Sequence, residues 1–154
     1  MTAVCPPSVR IAVPSDRDEL FSFFWEAHEE MSYASKNEDK IKATIWTATT
    51  IRKNPVFGIV RGPAGIEAAI GLYFSSWWFS NQPILMSFTF YVHPDHRKTT
   101  HAADLREFAG WFAEQIEMPL VLVHWGDQNS RKARLFQKDT SQIGGMFARG
   151  LMTA

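Results

Sequence analysis

Apolar and polar positions alternate over residues 8–13 (SVRIAV) and the alternation stops at Pro14, which predicts a short strand. Ser15 then offers a helix N-cap, with Asp18 three residues on in the capping-box position. Leu20, Phe23, Phe24, Ala27 and Met31 follow at spacings of three and four, the stripe of an amphipathic helix. The polar stretch after it leads to Ser35 or Asn37, either of which can cap a second helix. That helix takes its apolar stripe from Ile41, Ile45, Ala48 and Ile51. Asn54-Pro55 is expected to close it, because a residue before proline is driven out of the α region.

The middle third reads as strand. VFGIV (56–60) and IEAAIGLYF (66–74) flank RGPAG, a hairpin turn by its glycines and proline. Ile66, Ala68, Ile70, Leu72 and Phe74 are expected on one face, with Glu67, Ala69, Gly71 and Tyr73 on the other. An aromatic turn, SSWWFSNQP, leads into ILMSFTFYV (84–92). Its Trp77 and Trp78 either cap a core, line an acceptor pocket or meet a second copy of the chain.

The loop HPDHRKTTHA (93–102) precedes a helix whose inner face is Leu105, Phe108, Ala109, Phe112 and Ile116. Met118-Pro119 stops it. LVLVHW (120–125) then reads as a buried strand, DQNSRKARLFQKD (127–139) as a short amphipathic helix and 142–151 as a last strand or hairpin. The predicted order is β-α-α-β-β-β-α-β-α-β, an α+β arrangement with no internal repeat or linker.

Length and composition narrow the class. The 154 residues suit a single domain over 1–154, and 45% apolar residues suffice for one core. Sixteen basic and sixteen acidic residues cancel, so broad electrostatic binding to nucleic acid or to anionic membrane is not expected. A lone cysteine, Cys5, excludes an internal disulfide framework. No apolar run is long enough to span a bilayer, and MTAVCPPSVR lacks the form of a signal peptide, so the expected location is the cytoplasm.

The chemistry concentrates at the junction of strand 84–92 and the following helix. A helix start leaves backbone N–H groups unpaired beneath a positive dipole end, and here His96, Arg97, Lys98, Thr99, Thr100 and His101 add donors. The segment is either an anion site fit for a pyrophosphate or an ordinary solvated helix start. His93, His96 and His101 fit no standard zinc spacing, and no carboxylate or thiol obviously completes a set, so no metal is expected. No G-x-S-x-G elbow, Walker loop or dinucleotide fingerprint is present.

Val92-His93-Pro94-Asp95-His96-Arg97-Lys98-Thr99-Thr100-His101-Ala102 resembles the acetyl-CoA motif V-x-P-x-x-R/Q-x-x-G-x-G/A of the GCN5-related N-acetyltransferases (GNAT). Val92, Pro94, Arg97 and Ala102 match, and Thr100 stands where the motif has glycine. A loop of this form without the glycine resembles acetyltransferase-like proteins of bacteriophages and prophages. The likeness covers residues 8–150 and implies a mixed, mostly antiparallel sheet splayed in a V, with about four helices. It implies acetyl-CoA as cosubstrate, its pyrophosphate on the amides of Lys98, Thr99, Thr100, His101 and Ala102 with Arg97 beside them. Pantetheine would pair near Tyr91 and Val92 and touch Asn129. Phe136 stands where the family often has a tyrosine that protonates the departing thiolate.

The implied activity is acetyl transfer to an amine acceptor by direct attack on the thioester. The amine must lose a proton, and Glu67, His124 and His93 are the candidate bases. The segment around His28, Glu29 and Glu30 either prefers a cationic acceptor or is an ordinary solvated helix end. Thr100 and Phe136 also leave open a CoA-binding or structural interaction module with little turnover. A phage enzyme that modifies a nucleobase or a host protein is the third reading.

Overall fold

The computed structural model describes residues 3–31, 35–124, 130–138 and 140. Five strands form one sheet in the order β1 (Val9–Ile11), β2 (Val56–Gly62), β3 (Gly65–Ser76), β4 (Pro83–Val92) and β5 (Leu120–Val121). The first four are antiparallel to their neighbours, and β5 runs parallel to β4. Helices α1 (Arg17–Met31) and α2 (Glu38–Ile51) lie against one face, while α3 (His101–Gln115) and α4 (Arg131–Gln137) lie against the other. The expected tail strand at 142–151 lies outside the described residues, as do residues 127–129, Asn129 among them, and 139 of the expected last helix. Among the described residues, no helix is long and apolar enough to cross a membrane.

Covering both faces explains why Val56–Val60 of β2 form an unbroken buried run. Val56 and Val60 meet α3, while Phe57 and Ile59 meet α1 and α2. Gly58 is required between the valines, because a Cβ there would come within 2.4 Å of the Phe108 ring.

Two register shifts alter the strict two-residue alternation read from the sequence. Between Val60↔Ala68 and Arg61↔Ile66, β3 carries one extra residue, Glu67. Ile66 therefore packs with the α1–α2 core, whereas Ala68, Ile70 and Leu72 pack with α3, correcting the single face expected for all four. Between Gly71↔Thr89 and Leu72↔Ser87, β4 carries the extra residue Phe88. Gly71 admits this bulge, since a Cβ there would lie 2.5 Å from the Phe88 ring.

Several local expectations change. A 3-10 turn at Pro14–Asp16 precedes α1, and Asp16, rather than Ser15 with Asp18, accepts the Val13 N–H at 2.8 Å. Asn37 is the cap of α2, accepting from the Lys40 amide at 2.9 Å. That helix ends at Ile51, before Asn54-Pro55, with Arg52 in the left-handed region at φ 56°. Ile51 is 59% exposed and leaves the stripe. Between β3 and β4, Trp77 stacks on Phe79 while Trp78 is 95% exposed.

Candidate active site

The sheet opens between β4 and β5. The two strands pair only at Leu85↔Leu120 and Met86↔Val121, with the Leu85 amide donating to Pro119 O at 2.9 Å. Beyond that point the Val123 N–H is met by a side chain, Ser87 Oγ, at 2.9 Å. Past the Phe88 bulge, the direction of each β4 peptide follows from pairing with β3. His93 N donates to Glu67 O, so Tyr91, two residues back, also turns its peptide groups toward β3. Phe90 and Val92 turn theirs to the open edge.

Two cations already hold that edge. Lys132 Nζ, on α4, donates to Phe90 O at 2.8 Å, and Arg97 Nε donates to Val92 O at 3.1 Å. Burial, reinforced by the nearby Arg97 charge, pushes the Lys132 ammonium down to about 8, with Glu30 opposing. Phe136 is buried edge-on to Phe90, ring centres 5.0 Å apart, and His124 lies beside it at 6.2 Å with Nε2 3.2 Å from Ser130 Oγ. Ser130 caps α4 by accepting the Ala133 N–H.

At the far end of this cleft α3 begins. Thr100 has φ −83°, compatible with a side chain, and its hydroxyl donates to Asp104 at 3.0 Å. Thr99 Oγ1 accepts the His101 N–H. The first-turn amides of Ala102 and Ala103 precede the first helical bond, from Asp104 N to Thr100 O. Lys98 is exposed beside them.

On the opposite face a cavity of about 350 Å³ lies between α1, α2 and the bulge of β4. Its apolar walls include Phe24, Ile45, Phe57 and Phe88; His28, Lys36, Lys40 and Thr89 supply polar groups. Burial, then the Lys36 charge, lowers the His28 pKa from its ordinary value.

No family profile matches the chain, and no curated protein sequence does. Solved structures match it closely in shape. A predicted acetyltransferase from Clostridium acetobutylicum, solved with acetyl-CoA, superposes with TM-score 0.73 at 13% identity, covering 92% of this chain and 93% of that one. The ribosomal-protein-alanine N-acetyltransferase of Brucella melitensis biovar Abortus 2308 gives 0.66 at 15%, covering 92% and 97%. A GNAT family acetyltransferase of Staphylococcus aureus subsp. aureus USA300_TCH1516 gives 0.61 at 14%, covering 97% and 99%.

The chain has the GNAT fold.

On this fold the sequence candidates separate into three places. His124, Phe136 and the Phe90–Val92 edge lie in the cleft, together with Lys132, whose chemistry the sequence did not flag. Lys98 to Ala102 form the start of α3. Arg97 turns away from that start: its guanidinium meets Glu30 at 2.6 Å, and the Tyr91 hydroxyl donates to the same carboxylate at 2.8 Å. Arg97 holds the Glu30 carboxyl below its ordinary pKa, while burial and Glu30 push the Tyr91 phenol up to about 12. Glu30 is therefore already neutralised, and the cavity rim is cationic rather than acidic. The third place is the outer end of β3 and β4, where Glu67 and His93 sit. Glu67 Oε2 lies 2.6 Å from His101 Nε2 and 3.7 Å from His96 Nδ1, so a carboxylate does approach these histidines, contrary to the sequence expectation. His93 Nδ1 accepts from the Asp95 N–H. The bacteriophage likeness of the loop gains nothing from the bacterial structures named above.

Proposed function

We propose that the protein is an acetyl-CoA-dependent N-acetyltransferase acting by direct attack of an amine on the thioester. The observation that carries this reading is the divergence of β4 from β5, which turns the Phe90 and Val92 peptide edge toward a cleft ending at the start of α3. Pantetheine would lie along that edge, displacing Lys132 from Phe90 O and Arg97 from Val92 O. The pyrophosphate would sit on the amides from Lys98 to Ala102, with the Lys98 charge beside it. Asn129 is assigned to the pantetheine arm.

The acceptor enters through the cavity on the α1–α2 face, which reaches β4 at Phe88 and Thr89. Its apolar walls and lysine rim favour an amine carrying an apolar body and an anionic group over a polyamine. His28 lines this cavity and is largely neutral at pH 7, so it can take the proton released as nitrogen attacks the carbonyl carbon. Glu67 and His93 lie roughly 13 Å along the sheet from the bulge, at about 3.3 Å per residue. They are remote from such an amine. His124 faces the cleft on the thioester side.

Collapse of the tetrahedral intermediate breaks the C–S bond and releases CoA thiolate. With Phe136 lacking a hydroxyl, the Lys132 ammonium, one turn earlier on α4, supplies charge and a proton. Burial brings its pKa down to about 8, which makes it a readier proton donor than an ordinary lysine. Lys132→Met should lower kcat for thiol release about tenfold without raising KM, because thiolate is already a fair leaving group. An unchanged kcat would make Lys132 a packing residue.

A second reading is supported by a specific observation: both open-edge carbonyls are already occupied and Phe136 is packed against Phe90. A module that binds CoA without turnover would share this geometry. Thiol release monitored with acetyl-CoA across anionic, neutral and cationic amines separates the two.

A further inference from the structure

The bulge in β3 has a chemical consequence outside the cleft. It aims Glu67 at the segment before α3, and Gly62 leaves room for it, since a Cβ there would fall 1.7 Å from Glu67 Oε1. His96 comes from a 3-10 turn at Pro94–His96, and His101 is the first residue of α3. One ligand atom from each of Glu67, His96 and His101 lies within 4.8 Å of the others. Glu67 and His101 side chains are only 14% and 15% exposed, and His96 is 35% exposed. The His101 Nδ1 atom is buried without a hydrogen-bond partner.

We propose that Glu67, His96 and His101 form a binding site for a divalent transition-metal ion of the zinc class, with at least one coordination position open to solvent. Two imidazoles and one carboxylate are the donor set such ions prefer over the all-oxygen shells of calcium or magnesium. Tetrahedral ligands at about 2.0–2.1 Å from zinc stand roughly 3.3 Å apart. The distances from Glu67 Oε2, 2.6 Å to His101 and 3.7 Å to His96, bracket that value. Reaching it moves His101 outward by about 0.7 Å and His96 inward by about 0.4 Å, within the reach of small side-chain rotations. The three donors come from a strand, a turn and a helix, and His93 N on Glu67 O ties the strand to the turn. The ion would therefore clip the outer end of the sheet to the start of α3. The open position faces outward and can take water or an anionic oxygen. This inference does not depend on acetyl transfer.

The test uses tag-free full-length protein stripped with chelator, then titrated with Co²⁺ as a spectroscopic probe. The expected result is a visible ligand-field band saturating at one ion per chain and abolished by Zn²⁺. Glu67→Gln and His96→Ala should each weaken Co²⁺ by about 100-fold, since even outer-shell changes cost 10–100-fold. His28→Ala should leave the affinity unchanged. His96 is partly exposed, so its variant is expected to keep the wild-type circular dichroism, and His101→Ala adds a third check. Zn²⁺ should also raise the thermal midpoint of wild type but not of Glu67→Gln. No band at millimolar Co²⁺, or a band that survives both Glu67→Gln and His96→Ala, overturns the proposal.

Discussion

His28→Ala is expected to lower kcat/KM by 10²–10⁴-fold, the usual contribution of a positioned general base. The imidazole, carried by α1, lines the cavity, and Thr89, next to the bulge of β4, lines the same cavity. Because burial and Lys36 hold its pKa below the ordinary value near 6.5, the active neutral form persists at pH 7. Activity through this group falls as pH drops past that lowered pKa. Lys36→Met removes a positive neighbour and lets the pKa rise, so the acidic limb of the kcat/KM profile should move to higher pH. Lys36 also meets Glu29 at 3.2 Å and the Trp25 ring at 4.1 Å, so the variant needs a fold check. An acidic limb that stays in place in Lys36→Met, with full activity in His28→Ala, would transfer the role to His124.

The largest stability effect is expected at Asp16. The residue is 2% exposed, and its carboxylate accepts from Arg10 through both oxygens at 2.8 Å, from Arg61 at 3.2 Å and from Val13 N. It joins β1, β2 and the entry to α1. Asp16→Ala should cost about 3 kcal/mol, the low end for breaking a buried ion pair, because both guanidiniums are partly exposed and can rehydrate. For a chain of this size that is a fall in thermal midpoint of about 6–12 °C. Arg10 holds the Asp16 pKa below its unfolded value, so its contribution is complete above about pH 4. It fades as pH drops through the lowered folded pKa. The gap between wild type and variant should therefore be constant near neutrality and close in acid.

Much of the fold is legible because its signals are local. Hydrophobic stripes at three and four residues place α1, α2 and α3, and the RGPAG turn places the β2–β3 hairpin. The bulges are not local. Whether Glu67 or Phe88 is the extra residue depends on pairing across the sheet, and a one-residue shift reverses every side chain beyond it. That is why Ile66 changes face and why Glu67 meets His96 and His101. Ile51 likewise fits the helical period yet lies beyond the contact that would bury it.

The site divides in the same way. The helix start at 97–102 is marked in sequence by its V-x-P-x-x-R pattern. Arg97 was legible as a residue type but not in direction, since Glu30 and Tyr91 that capture it are 67 and 6 residues away in sequence. Lys132 shows no signal in sequence: a lysine on a short amphipathic helix is usually solvated, and only the packing of α4 on β4 buries it. His28 reads there as part of an acidic helix end, and only the α1–α2 packing turns it into the cavity.

The most direct measurement is an amide NMR titration of the full chain with acetyl-CoA. Saturable shifts are expected at Phe90 and Val92 on the open edge, at Val123 across the cleft and from Lys98 to Ala102, with β1 and residues 77–82 unmoved. The absence of shifts at millimolar acetyl-CoA, or shifts confined to another face of the sheet, would contradict the assignment of this cleft.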